Sequence, residues 1–201
     1  MTEEQNMAND VDVTPIPKPL KLCMYYLTMY NLSPIQQGIQ CLHATVEYQI
    51  RYGLDELYKD WALMHKTVVI LNGGTSNDGM YTCYGEEPKI GTMQEHEELL
   101  DANHIKYSTF KEPDCNGAMT AIAFLVDEKV FNNDLYPYID TFFEPQMIHI
   151  KKDYIQLFKN GPVDMDLVQS RYPELFTIWV ESVGGNRNAF LKWFLRQFKK
   201  A

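Results

Sequence analysis

The 201-residue chain has no apolar run near the roughly 18 residues a membrane span requires, which excludes an α-helical membrane protein. Its first 19 residues are acidic, carry Pro15, Pro17 and Pro19, and hold no apolar stretch of the kind a signal peptide or anchor needs. They read as a flexible lead-in to a cytoplasmic protein. Cysteine is scarce: Cys23, Cys41, Cys83 and Cys115 include no C-x-x-C pair. Cys23 and Cys41 fall in apolar-patterned segments and read as reduced core residues. The five histidines form no H-x-x-x-H or Cys/His cluster, so neither a metal nor a cofactor is expected. Internal repeats and low-complexity tracts are also missing.

Positive charge is in short supply, with 18 basic against 27 acidic residues and a net charge of −9. Residues 20–128 hold 7 basic and 15 acidic side chains, whereas residues 187–201 hold five basic and no acidic ones. An acidic body repels nucleic acid at long range; a basic tail attracts it.

What the chain does have is a pattern of buried strands and well-punctuated helices. Leu20–Met29, Thr67–Leu71 and Ala121–Val126 are nearly unbroken apolar runs, as expected of strands covered on both faces. Ile105–Lys111 is shorter and more polar, which suits an edge strand. Between the first two strands, Ser33 and Pro34 open a helix that Gly53 closes. Ile35, Ile39, Leu42, Val46 and Ile50 recur at helical spacing and predict its buried stripe. Strand, helix and strand in this order read as a right-handed crossover unit.

Asn72–Gly91 is glycine-rich and loop-like, with a short strand expected at Met80–Tyr84. Thr92 and Glu95 have capping-box spacing and open a helix ending near Asn103. Asn116-Gly117 predicts a hairpin, so the strand over 120–127 should run antiparallel to its predecessor. Beyond Lys129 the pattern is helical and aromatic. Pro173 opens a segment with Leu175, Phe176, Trp179 and Val183 on one side, ending at Gly184-Gly185. Asn186 then caps a last helix whose stripe is Phe190, Trp193, Phe194 and Phe198, beside Lys192, Arg196, Lys199 and Lys200. The stripe is expected to pack on the chain's own sheet; contact with RNA or a protein partner is the sharper alternative.

The expected architecture is therefore α/β: a mixed four-stranded sheet flanked by helices, with a helical C-terminal extension. Its parts are the lead-in over 1–19, the α/β unit over 20–128 and the extension over 129–201.

Chemistry concentrates on the first helix. Gln36, Gln40, His43 and Glu47 share one face at i, i+4, i+7 and i+11. The helix N-terminus below them offers N–H groups and partial positive charge to phosphate or a developing oxyanion. The plainer reading is a solvated face, with Gln36 completing a capping box with Ser33 and His43 a hydrogen-bonded structural histidine.

The segment Leu32-Ser33-Pro34-Ile35-Gln36-Gln37-Gly38-Ile39-Gln40-Cys41-Leu42-His43-Ala44 resembles the first helix of peptidyl-tRNA hydrolases of the second, archaeal and eukaryotic, type. It is closer still to small bacterial and phage relatives, which carry Q-Q-x-x-Q-x-x-H-A there and an E-P-D turn before T-A-I-A. Here those are Gln36, Gln37, Gln40, His43 and Ala44, then Glu112-Pro113-Asp114 and Thr120-Ala121-Ile122-Ala123. The resemblance covers residues 20–128. It implies hydrolysis of the ester joining a peptide or aminoacyl group to the tRNA 3′ ribose. It implies catalytic roles for Asp114, Thr120 and Gln36, and substrate contacts from Gln37, Gln40, His43 and Asn116. The partner it implies is a tRNA 3′ end or a nucleotide. Where that family carries lysine, four residues before the glutamine, this chain has Gln36, whose amide brings no charge to a phosphate. Two alternatives stay open: a non-catalytic member of the fold that binds a nucleotide, RNA or protein, such as a phage-encoded effector, and a structural or assembly protein. Asp114 and Asn116 are also ordinary turn residues, and Thr120 is also a plain strand opening.

Overall fold

The computed structural model describes residues 20–76 and 91–198. The lead-in over 1–19, the strand expected at Met80–Tyr84, Cys83, Lys199 and Lys200 lie outside the described residues. Four strands form one mixed sheet: β1 (Leu22–Met29), β2 (Thr67–Gly74), β3 (Tyr107–Glu112) and β4 (Ala118–Asp127). Their spatial order is β2-β1-β4-β3. β1 and β2 are parallel, while β4 is antiparallel to both β1 and β3. The long apolar runs thus became the two central strands and a parallel neighbour, and the more polar run took an edge. β2 extends through Gly74, so the first three residues expected in the loop are strand. A side chain at Gly73 would meet Met93 and Leu27, so the glycine lets the next helix sit against the sheet.

The helices are α1 (Pro34–Tyr52), α2 (Glu56–Asp60, continued by a π-helical turn over Trp61–His65), α3 (Thr92–Ala102) and α4 (Glu128–Phe131). Then follow α5 (Ile139–Phe143), α6 (Lys151–Phe158), α7 (Met165–Arg171), α8 (Pro173–Ser182) and α9 (Asn186–Leu195). None of these is long and apolar enough to cross a membrane.

One face of the sheet packs against α1 and α2 through Met24, Tyr26, Ala121 and Ala123 with Cys41, Ala44, Tyr48 and Trp61. The other packs against α3 and α9 through Leu27, Ile122 and Phe124 with Met93, Leu100, Leu191 and Phe194. The aromatic stripe of α9 is therefore core. A further cluster, with Phe143, Phe158, Val168, Trp179 and Val183, holds the C-terminal helices together and shares Ala189 of α9.

Two helix starts sit one residue earlier than the sequence suggests. Gly91 caps α3, and the Thr92 hydroxyl donates to the carbonyl of Gly73 (2.9 Å), tying the helix to β2 instead of capping it. Gly185 caps α9, while Asn188 anchors that helix to Asp127 and to the carbonyl of Val183.

The largest departure from expectation is the orientation of α1. Its predicted buried stripe faces outward: Ile35 is 78% exposed, Ile39 47%, Leu42 64%, Val46 48% and Ile50 73%. The inward residues are Gln40, Cys41, Ala44 and Tyr48. The cause is close approach. α1 lies across β3 and β4, and Ser108 of β3 donates its hydroxyl to the carbonyl of Ala44 at 2.7 Å. Tyr26 and Thr45 join hydroxyls at 2.6 Å; because Thr45 donates to Cys41 (2.8 Å), Tyr26 is the donor in that pair. Isoleucine or leucine on this face would hold the helix too far from the sheet for these bonds.

Candidate functional site

β1 ends, α1 begins and the β3–β4 turn closes at the same end of the sheet, which brings the two motifs of the first helix and the turn together. Ser33 and Gln36 form a complete capping box: the Gln36 side-chain amide oxygen accepts from the Ser33 N–H (3.0 Å) and hydroxyl (2.8 Å). Pro34 has no N–H, the Gln36 N–H goes to the Ser33 hydroxyl, and the Gln37 N–H goes to the Ser33 carbonyl. Most of the first-turn donors are spent, so this terminus has little left to offer an anion. Gln37 donates its amide to the carbonyl of Leu32 (3.2 Å).

One turn further in, Gln40 and Thr120 meet directly. The Thr120 hydroxyl donates to the Gln40 amide oxygen at 2.6 Å, and the Gln40 amide nitrogen donates to the Glu112 carboxylate at 2.6 Å. A carboxylate only accepts, so Glu112 dictates which way the amide faces, and the amide oxygen then needs Thr120 as donor. Thr120 is fully buried and Gln40 nearly so, whereas Glu112 is half-buried and reaches solvent. A satisfied polar chain of this kind fixes rotamers and helix register together. His43 lies exposed, stacked on the ring of Phe110 at 4.5 Å and 21°.

Asp114 and Asn116 are exposed in the turn beyond Glu112. Pro113–Cys115 make a 3₁₀ turn, and Asn116 and Gly117 both take positive φ, 54° and 76°, as the Asn-Gly pair requires. The carboxylate that touches the Gln40–Thr120 pair is thus Glu112. The family resemblance points instead to Asp114. The alternation of β3 was the missed signal: Glu112 falls two residues from Phe110 and four from Ser108, both of which meet α1.

The basic tail is also less available than its composition suggests. Arg187 donates to the carbonyl of Leu125 (2.7 Å), and Arg196 pairs with Asp140 (2.7 Å). Lys192 is buried, donates to Val130 and Asn133, and lies 4.9 Å from the centre of the Tyr138 ring. Burial pushes its ammonium pKa down to about 8, against a smaller opposing effect of Asp127. Lys192 and Arg196 line a cavity of about 470 Å³ with Tyr138, Phe158, Trp179 and Trp193, well apart from Gln40.

Scanned against models of known protein families, the chain matches none. A search of curated proteins finds no significant match either.

Proposed function

We propose that the chain hydrolyses an aminoacyl or peptidyl ester at the 3′ end of tRNA, with Glu112 as the carboxylate that prepares the attacking water. The Glu112–Gln40–Thr120 chain of hydrogen bonds is the observation that carries this reading. Ester hydrolysis needs a base held in one orientation beside the scissile carbonyl. Glu112 accepts from Gln40 on one oxygen, leaving the other free to accept a proton from water. Thr120 locks the amide that does the holding. Asp114 and Asn116 are suited to contact the substrate: a carboxylate accepts from ribose hydroxyls, and a side-chain amide both donates and accepts. His43, flat on Phe110, offers a stacking surface to a terminal base.

A second reading is favoured by Gln36, which stands where the family it resembles carries lysine and spends its side-chain amide oxygen on its own helix cap. On that reading the chain binds a nucleotide, RNA or protein without turnover.

The two separate in one assay, release of tRNA from N-blocked aminoacyl-tRNA. Hydrolysis by the wild type is expected, with Glu112→Gln slowing it roughly 10²- to 10⁴-fold. Asp114→Ala should act mainly on KM, and Gln36→Lys should tighten binding, most clearly at low salt. A folded wild type and a folded Gln36→Lys variant that both fail to turn over would leave the binding reading in its place.

A further inference from the structure

The outward face of α1 is apolar and has no partner within the described residues. Ile35, Ile39, Leu42 and Val46 follow one another at alternating steps of four and three, the spacing of a helix–helix seam, and Ile50 continues the line. Leu54, 88% exposed, shares a surface cleft with Ile50 and extends it. The seam from Ile35 to Ile50 is about 22 Å long at 1.5 Å per residue. With Leu54 included, the residues along it expose roughly 700 Å², above the ~300–600 Å² of the largest patch on a typical monomer and near the ~800 Å² one partner gives a standard interface.

Charge is depleted on the same surface. From Ser33 to Ile50 the only formally charged residue is Glu47, in a chain with 27 acidic and 18 basic side chains. Interface centres are depleted of charge in this way. A face that is neutral and apolar is complementary to itself, whereas a basic partner drawn to the acidic body would find nothing here to pair with. Gly38 adds an independent observation. It lies inside α1 beside Ile35 and Leu42, and a Cβ built on it would meet nothing within 4 Å. Nothing among the described residues requires a glycine there, and glycine inside a helix is unfavourable relative to alanine. The close passage of a second helix backbone would supply the requirement.

We infer that α1 packs against α1 of a second copy of this chain, giving a two-fold symmetric dimer with Ile39 and Leu42 at its centre. This inference is independent of the hydrolase reading, because the seam lies on the side of α1 opposite Cys41 and Ala44.

The test is the mass of the full chain in solution, measured by sedimentation and light scattering at low and high salt. A dimer of twice 23.4 kDa is expected in the tens of micromolar range. Salt should tighten it, because each copy carries −9 and screening removes the mutual repulsion while leaving apolar burial intact. Leu42→Glu and Gly38→Leu should each weaken it by about tenfold or more. Both positions point to solvent, so circular dichroism and thermal melting at low concentration should show the fold retained. Ile178→Glu, at another exposed apolar residue, should leave the dimer intact. A wild-type monomer at every concentration and salt overturns the inference. So does a dimer that survives Leu42→Glu, or one that Ile178→Glu breaks.

Discussion

Lys192 gives the protein a stability term with an unusual pH dependence. The residue is 1% exposed, and its ammonium group is held by the carbonyl of Val130 (2.8 Å) and the amide oxygen of Asn133 (2.9 Å). Its pKa falls from the ordinary 10.5 to about 8. At 1.36 kcal/mol per pH unit, the charged form carries a penalty of ~3 kcal/mol in the folded state. The sign follows from proton counts. Below pH 8 both folded and unfolded chains hold the proton, so the penalty is constant and fully present. Between about 8 and 10.5 the unfolded chain holds more protons, so this term makes stability rise with pH. Burial pushes Cys41 and Tyr26 up to about 12, and those groups act oppositely at alkaline pH. A difference against Lys192→Met removes them, because they titrate in both proteins. The methionine relieves the penalty but strands the two acceptors, a cost of about 1–3 kcal/mol, so the variant should be close to wild type at pH 7. By pH 10 it should fall behind by ~2–3 kcal/mol. Urea unfolding of both proteins at pH 7, 8, 9 and 10 measures this. A difference that stays flat across the series would refute the reasoning.

Two further outcomes test the packing. Phe194 is fully buried between Phe124 and Phe198, so Phe194→Ala should lower unfolding free energy by about 3–5 kcal/mol, measured by urea titration. Burial would raise the pKa of Asp140, but the hydrogen bond and charge of Arg196 hold it below its ordinary 3.8. The pair's contribution is therefore present above the unfolded value and lost as pH falls through the lower folded one. Asp140→Asn should flatten acid melting below pH 4, and an unchanged acid limb would count against the pair.

Much of the fold was legible because its signals are local. Continuous apolar runs marked β1, β2 and β4, lysines marked β3 as an edge, and Asn116-Gly117 marked the hairpin. The cap at Ser33 with Gln36 was also readable, since both partners sit within one turn. The inward face of α1 was not, because what decides it is matched across the sheet. Gln40 and Thr45 look ill-suited to a core until Thr120 and Tyr26 are seen to satisfy them. Periodicity alone chose the isoleucines. The same blindness applied to Lys192 and Arg196, which composition counts in a basic tail and the fold places against Tyr138 and Asp140. Motif order singles out Gln40 and Thr120, which do meet, and the resemblance singles out Asp114, whereas only the alternation of β3 shows that Glu112 is the carboxylate beside that pair.

α9 also bears on the order in which the protein can be completed. β1 is translated long before the helix that seals its second face. Until residues 186–195 are made, Leu27, Met119, Ile122 and Phe124 lack the cover that Leu191 and Phe194 provide. A nascent chain stalled short of Asn186, or one clipped there by a protease, therefore presents a broad oily surface to chaperones and degradation machinery. The helical cluster that shares Ala189 loses its attachment in the same event, so a late truncation removes far more than the residues it deletes.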